Sequence, residues 1–397
     1  MKQKLVITKQ NNNYIMALTD TKRLIEVHVE PADQTIFVGS IYVGQVKNIV
    51  KNINAAFVQI DKDTLCYYSL DENKHHLFLN KKSDEELKPG DHILVQVSRE
   101  AVKSKAPTCT CYLSFTGRYS VLTWNKTIIG FSNKITNKDR RKELKELYQS
   151  FKNPNYGFIV RTNASDASND NIITELNTLI ARADKIIQEA PHRNYGQVLM
   201  QGLPGYLAAM RDYSLMDIEE IVTDNQELYH QLQDSDLDEI IKKSFPVRLY
   251  EDDLLPLDKL YRISSQMDEA LQTKVWLQSG GYLFIEPTEA MTVIDVNTGK
   301  AIEGKRPTNK QFFKINMEAA KEIAYQIRLR NLSGIIVIDF IDMSDPELVE
   351  SLLQELKLFI NKDRIKTTLV DITRLGLVEL TRKKIRKPLY EQMKSEG

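Results

Sequence analysis

The sequence has little cysteine: only Cys66, Cys109 and Cys111 occur in 397 residues. Three thiols make no disulfide framework, and no spacing matches the CxxC of a zinc site. Cys109 and Cys111 alternate with threonines, which places both on one face of a strand as small, reduced residues. Excess charge of either sign is also missing, with 54 basic and 54 acidic residues. Net charge therefore does not announce a nucleic-acid binder, although a neutral total can contain a basic face. No apolar run approaches the ~18 residues of a membrane span. The amino-terminal MKQKLVITKQNNN lacks the apolar core of a signal peptide. A cytoplasmic protein without membrane contact is the expectation. The length of 397 residues suits about two to four domains of ~100–200 residues each.

The most informative stretch runs from Met291 to Met343. It reads MTVIDVNTGK, an amphipathic connection, then GIIVIDFIDM. One apolar run, from Met291 to Val296, closes on Asp295 and Asn297. A second, from Ile335 to Ile341, closes on Asp339 and Asp342. Short runs rich in Val and Ile read as buried strands. Between them Met317, Ala320, Ile323, Ala324 and Ile327 recur at helical spacing. Arg328, Arg330 and Gly334 supply stop signals. The expectation is strand, helix, strand, with acids at neighbouring strand ends. An ionised carboxylate on an apolar strand costs free energy unless a cation or donor meets it. Asp295 and Asn297 share a face, and with Asp339 they offer the oxygen ligands that suit Mg²⁺. The same acids could instead cap strand ends or pair with arginines.

The remaining chain divides by pattern. Residues 1–35 suggest strands over Leu5–Thr8, Tyr14–Leu18 and Leu24–Val29. Residues 36–116 suggest a small barrel of OB type. Its candidate strands are Ile36–Val43, Gln45–Ile49, Ala55–Ile60, Cys66–Ser69, His92–Val97 and Cys111–Phe115. Phe57, Tyr67 and Tyr68 lie among Lys47, Lys51, Lys62 and Lys74, a mixture that can stack bases and follow a backbone. Equally, Phe57 could be core. Lys103 to Thr108 reads as an exposed basic loop. Residues 117–206 mix a helix over Asp139–Phe151, a strand over Tyr156–Val160 and a helix over Ile172–Ala190. The Arg161–Thr162 pair at that strand's end offers a fork and a hydroxyl to a phosphate. Residues 207–270 read as polar and helix-rich, with helices at Asp217–Ile221 and Asp236–Lys243 and a mostly helical Leu257–Leu277. Beyond the acidic strands come a helix over Pro346–Phe359 and a strand over Thr368–Ile372. A basic run follows: Arg374, Arg382, Lys383, Lys384, Arg386 and Lys387. Such a run is either a solvated face or the rim of a phosphodiester site.

The segments EAMTVIDVNTGK, AAKEIAYQIRLRNLSGIIVIDFIDM and DITRLGLVELTRKK resemble the catalytic region of the ribonuclease E/G family. Gln45 to Ile60, Phe158 to Thr162 and Ser279 to Ile285 extend the resemblance over nearly the whole chain. It implies a multidomain α/β architecture. Residues 1–35 and 207–270 would form a ribonuclease-H-like subdomain, and residues 36–116 an inserted S1-type OB barrel. Residues 117–206 would be a 5′-sensor region, and residues 271–397 a deoxyribonuclease-I-like catalytic domain. It implies an endoribonuclease that hydrolyses single-stranded RNA, mRNA or rRNA precursors, leaving a 3′-hydroxyl and a 5′-phosphate. Asp295 and Asp339 would hold Mg²⁺, with Mn²⁺ a possible substitute, and Asn297 would assist. Phe57 and Tyr67 match RNA-stacking aromatics, Tyr67 standing where the family has Phe. Arg161 and Thr162, with Gly130 and Lys366, match a pocket that senses a 5′-monophosphate. Lys366 stands where the family typically has Arg, which keeps the charge and loses the fork. No cysteine follows Cys111, so the thiolate zinc link of many members is not expected. A homo-oligomer, if formed, would not rest on it. The rivals are a non-catalytic S1-type RNA-binding protein and a deoxyribonuclease of related fold.

Overall fold

A computed structural model describes residues 3–20, 23–81, 85–101, 105–212, 218–234, 246–302 and 308–393. The chain forms two compact units. The first comprises Met1–Ala32, Met216–Ser235 and Phe245–Gly397, the second Asp33–Leu215 and Asp236–Ser244.

In the second unit, five strands close into a barrel, an OB-like arrangement. Ile41–Val50 pairs with Ala55–Gln59, which pairs with Leu65–Ser69. Thr108–Thr110 then bridges to His92–Arg99, and that strand returns to Ile41–Val50. Alternation drives closure: Ala56, Val58, Cys66, Tyr68, Ile93, Val95 and Val97 point inward and are buried. The strands expected over Ile36–Val43 and Gln45–Ile49 are one, running through Gly44 and starting at Ile41. Glycine is required there because a Cβ would lie 2.5 Å from Val58 Cγ1. Of the strand expected over Cys111–Phe115, only Ser114 and Phe115 are strand. Thr108–Thr110 belongs to the barrel, while Ser114–Thr116 joins a four-stranded sheet with Ser120–Trp124, Tyr156–Val160 and Ile129–Phe131. Cys111 is thus outside the strand that holds Cys109, yet all three cysteines are free and buried. Helices Lys138–Gln149 and Asn169–Glu189, capped by Asn137 and Ser168, contribute Leu144, Tyr148, Leu176 and Leu179 to the core that holds Phe158 and Val160.

The first unit has two sheets. In one, Leu24–Pro31, Asn13–Thr19 and Gln3–Gln10 form a meander. Ile218–Thr223 adds parallel to Gln3–Gln10, and Val247–Leu249 adds parallel to Ile218–Thr223. The helix expected over Asp217–Ile221 is therefore this strand: IEEIVT presents β-branched residues to a parallel partner, and pairing overrides the acidic composition. The helix expected over Asp236–Lys243 lies outside the described residues. The expected Leu257–Leu277 helix is broken into Leu257–Tyr261 and Ile263–Leu271 by Arg262, whose φ is +53°. Its last residues instead form the strand Lys274–Trp276.

The second sheet has the order Lys274–Trp276, Tyr282–Pro287, Met291–Asn297, Gly334–Asp339, Val378–Arg382, Thr367–Ile372. Met291–Asn297 and Gly334–Asp339 are parallel, which requires a crossover. Asn309–Leu329 supplies it and, with Pro346–Ile360, buries one face. Ile285, Ile294, Val296, Ile336 and Ile338 meet Ala319, Ala320, Ile323, Leu352 and Leu356 there. The opposite face stays open, so these strands are half-buried and not the fully buried runs expected.

Glu26 on the meander ties the two sheets of this unit together. It accepts from Arg328 Nε at 3.3 Å, at the end of the crossover helix, and from Arg364 Nε at 3.2 Å. Burial alone would raise its carboxyl, but Arg364 and Arg328 hold it down at about 2. A depressed carboxylate stabilises the fold above its unfolded value, 4.5, and loses that contribution as pH falls toward about 2. Glu26→Gln, which removes the carboxylate shared by two partly buried guanidinium groups, should cost about 3–5 kcal/mol at pH 7. Denaturant melts should show the difference from the unaltered protein shrinking between pH 4.5 and 2.

Candidate active site

The site sits at the carboxyl ends of the two parallel strands, the usual ligand edge of such sheets. Asp295 and Asp339 are direct register partners, so their Cα atoms stand one strand spacing, ~4.8 Å, apart. Both point to the open face, because Ile294, Val296 and Ile338 alternate into the core. Asn297, two residues on, shares that face and donates from Nδ2 to Asp295 Oδ2 at 2.6 Å. Burial, together with the charges of Asp295 and Asp342, pushes the Asp339 carboxyl above its ordinary value. The sheet therefore holds anions that repel one another. Asp342 stands beside the turn after Thr367–Ile372: its Oδ1 is 3.8 Å from the position of a Cβ on Gly376, whose φ is +84°.

One contributor was not legible as such. Asn316 is fully buried in the crossover helix. Its Nδ2 donates to the Ile341 carbonyl at 2.8 Å, and its Oδ1 accepts from the Ile341 N–H at 3.1 Å. This two-point clamp fixes the loop between Asp339 and Asp342. A polar residue at an otherwise apolar helix position was the available signal. Near the helix start, Asn309 Nδ2 donates to Ser344 Oγ at 2.8 Å, holding the same loop further on.

The donor set of Asp295, Asp339 and Asn297 is oxygen alone, which suits a hard divalent cation that retains waters. Among the described residues no group of three or more His, Cys, Asp or Glu side chains could hold a metal. Two carboxylates are nevertheless the number that Mg²⁺ commonly takes from protein when substrate phosphate supplies more.

The basic run after Thr373 is not uniform. Arg382 is buried, donating to Asp363 Oδ2 at 2.8 Å and to Asn331 Oδ1 at 2.8 Å, so it is structural and no part of a rim. Lys383 and Lys384 are exposed. Asn331, at φ +50°, ends the crossover helix. Its Nδ2 also holds the Lys387 carbonyl at 2.9 Å, which accounts for the RLRNLSG segment in packing terms.

In the other unit, Phe57 and Tyr67 are register partners on the outer barrel face, with ring centroids 6.1 Å apart and edge to face. Neither is core. Tyr68, expected beside them, instead fills the barrel and meets His76 Nδ1 at 2.8 Å. Arg161 and Thr162 follow Tyr156–Val160, and Gly130 lies on the neighbouring parallel strand, opposite Ile159. Arg161 Nη1 donates to the Gly117 carbonyl at 2.6 Å, and Thr162 Oγ1 is 2.8 Å from Ser132 Oγ. Glu175, missed in the sequence, secures that turn by accepting from the N–H groups of Tyr119 at 3.0 Å and Ser120 at 2.8 Å. Lys366 is exposed and belongs to the first unit. Lys103 lies outside the described residues.

In-register acids on a half-open α/β sheet, in a chain whose other unit holds an OB-like barrel, suit a nuclease class of protein. Comparison with known proteins supplies the family. The model of the ribonuclease E/G family matches residues 114–385. Ribonuclease G of Haemophilus influenzae is 33% identical over 400 residues, covering 97% of this chain and 80% of that protein. Ribonuclease G of Escherichia coli K12 is 29% identical over 406 residues, covering 100% and 83%. Ribonuclease E of Synechocystis is 33% identical over 399 residues, covering 98% and 58%. The chain belongs to the ribonuclease E/G family, and by that membership it is an endoribonuclease.

Because Asn316 positions the acidic loop, Asn316→Ala should lower RNA cleavage through kcat while leaving KM nearly unchanged. The two orphaned backbone groups should cost about 1–3 kcal/mol of stability. Single-turnover rates and thermal melts of the same variant check both parts.

Proposed function

We propose that the protein cleaves single-stranded RNA internally by Mg²⁺-dependent hydrolysis at Asp295 and Asp339. The observation that carries this reading is the register pairing of the two acids on an open sheet face. Asp295 and Asp339 would hold the ion, whose positive charge offsets their mutual repulsion. Mn²⁺, with similar oxygen preference, is the natural substitute. When bound, it would polarise the scissile phosphate and lower the pKa of a water. Asn297 keeps the Asp295 carboxylate oriented through its 2.6 Å bond. Asn316 holds the following loop still, and Asp342 adds a third negative charge at the rim. Attack of water on phosphorus with cleavage of the P–O3′ bond, the 3′-oxygen leaving and taking a proton, gives a 3′-hydroxyl and a 5′-phosphate. A barrel acting only as an RNA binder would have no use for paired acids at a strand edge.

The outward Phe57–Tyr67 pair supports a role in stacking bases of the strand. The meander with two added parallel strands supports a ribonuclease-H-like reading of that sheet, and the acidic six-stranded sheet a deoxyribonuclease-I-like one. Arg161, Thr162 and Gly130 cluster at one strand edge, which supports recognition of a 5′-monophosphate by charge-assisted bonds. Among the described residues no helix is long and apolar enough to cross a membrane; action on RNA in the cytoplasm is part of the proposal.

Cleavage of a labelled oligoribonucleotide should require Mg²⁺ and stop with EDTA. Asp339→Asn should remove most of it while binding persists. In EDTA the same variant should melt no lower than the unaltered protein, since it removes a repulsive charge. A cleavage rate near normal at limiting Mg²⁺ would refute the assignment.

A second expectation concerns the 5′ end. RNA with a 5′-monophosphate should be cut faster than the same RNA with a 5′-hydroxyl. Arg161→Gln should erase that difference and leave the 5′-hydroxyl rate unchanged. Equal rates for the unaltered protein on both substrates would show that the cluster does not read the phosphate.

A further inference from the structure

The open face of the six-stranded sheet carries more than the acids. Val275, Leu283 and Ile285 turn into the core, so the alternating residues Lys274, Trp276, Tyr282 and Phe284 share the face of Asp295 and Asn297. Register makes the placement specific. Trp276 is opposite Tyr282, and Tyr282 is opposite Asn297. Lys274, Phe284, Asp295 and Asp339 form one row across four strands. At one strand spacing per step, that row spans ~14 Å.

The aromatic residues are not buried against one another. Trp276 is 60% exposed and Phe284 36%. The rings meet edge-on, Trp276 with Tyr282 at 5.3 Å and 69°, Tyr282 with Phe284 at 5.5 Å and 88°. Each such contact covers one face of one ring with the edge of the other, so the surface open to a base is chiefly that of Trp276 and Phe284. Lys274 Nζ lies 3.7 Å from the Tyr282 centroid and 4.1 Å from that of Trp276, placing a cation among them. Cross-strand packing alone accounts for the ring contacts but not for so large an exposure of tryptophan. Without a metal the acids repel a phosphodiester, so in that state attraction for the strand comes from other residues.

We propose that Trp276, Tyr282 and Phe284, with Lys274, form a base-stacking platform that holds nucleotides next to the scissile phosphate of single-stranded RNA. Every base has a π-face, so such a platform tolerates sequence, and Lys274 supplies charge for the backbone. The inference rests on the reading of Asp295 and Asp339 as the cleaving acids. It adds a binding subsite separate from the barrel.

The chain has two tryptophans, and the other, Trp124, is buried in the second unit. Both emit, but Trp124 is shielded from solvent, so the part of a ligand-induced quench that is lost in Trp276→Phe reports Trp276. Titration with a short single-stranded oligoadenylate bearing a 5′-hydroxyl, in EDTA, should quench that emission. Trp276→Phe should abolish the quench and keep affinity within about twofold. Trp276→Ala should weaken binding about 5- to 160-fold, the range expected for one base–aromatic stack, with an unchanged thermal midpoint. A quench that persists in Trp276→Phe, or an affinity unchanged in Trp276→Ala, overturns the platform. So does a self-association, seen by sedimentation, that Trp276→Ala abolishes without affecting RNA affinity, because the face would then join two copies of the chain. Cleavage with Mg²⁺ is scored separately. Cleavage without a quench removes the platform alone, and a quench without cleavage removes the catalytic reading alone.

Discussion

The parallel, in-register pairing of Met291–Asn297 with Gly334–Asp339 is the constraint on which the rest of the first unit depends. Parallel neighbours cannot be joined by a tight turn, so a long crossover has to pass over one face. That face becomes the core and the other is left for chemistry. Register then decides which side chains meet. A slip of one residue would send Asp295 and Asp339 to opposite faces. The apolar residues that alternate with the acids prevent the slip, since it would also expose Ile294, Val296 and Ile338.

The crossover helix does more than cover the sheet. Along its length Asn309 and Asn316 hold the acidic loop, Arg328 the meander, and the cap region at Asn331 the segment before the last helix. Helix positions are rigid relative to one another, so these four attachments set the loop after Gly334–Asp339 in a fixed frame. Precision at the acids is thereby derived from packing, with little contribution from the loop itself.

Much of this was readable in the residues. The acids, the helix between them and the strand before Arg161 have strong local patterns, and the family resemblance covers nearly the whole chain. The failures have local causes. Ile218–Thr223 looks acidic and helical because its β character is realised only by a strand more than 200 residues away in sequence, at Gln3–Gln10. Gly44 reads as punctuation, whereas its lack of a side chain is what lets one strand pass the barrel interior. Arg382 belongs by composition to a basic run, and only its partner Asp363 reveals that it is buried. Periodicity extended the helix of Ile263–Leu271 too far, hiding the strand that carries Trp276. The two-sided burial expected of the acidic strands also failed, because a count of Val and Ile does not reveal which face a helix covers.

The Glu26 contacts have a kinetic consequence. This carboxylate meets a guanidinium 338 positions later in the chain, and the sheet it sits on also takes a strand from beyond residue 217. Contacts so distant make for slow, late closure, because loop entropy must be overcome before they form. During synthesis the barrel unit, built mainly from one continuous span, can assemble early. The opening three strands must wait for residues that have not yet been made. The capacity to cut RNA is thus withheld from the growing chain until the residues around Arg364 have been made.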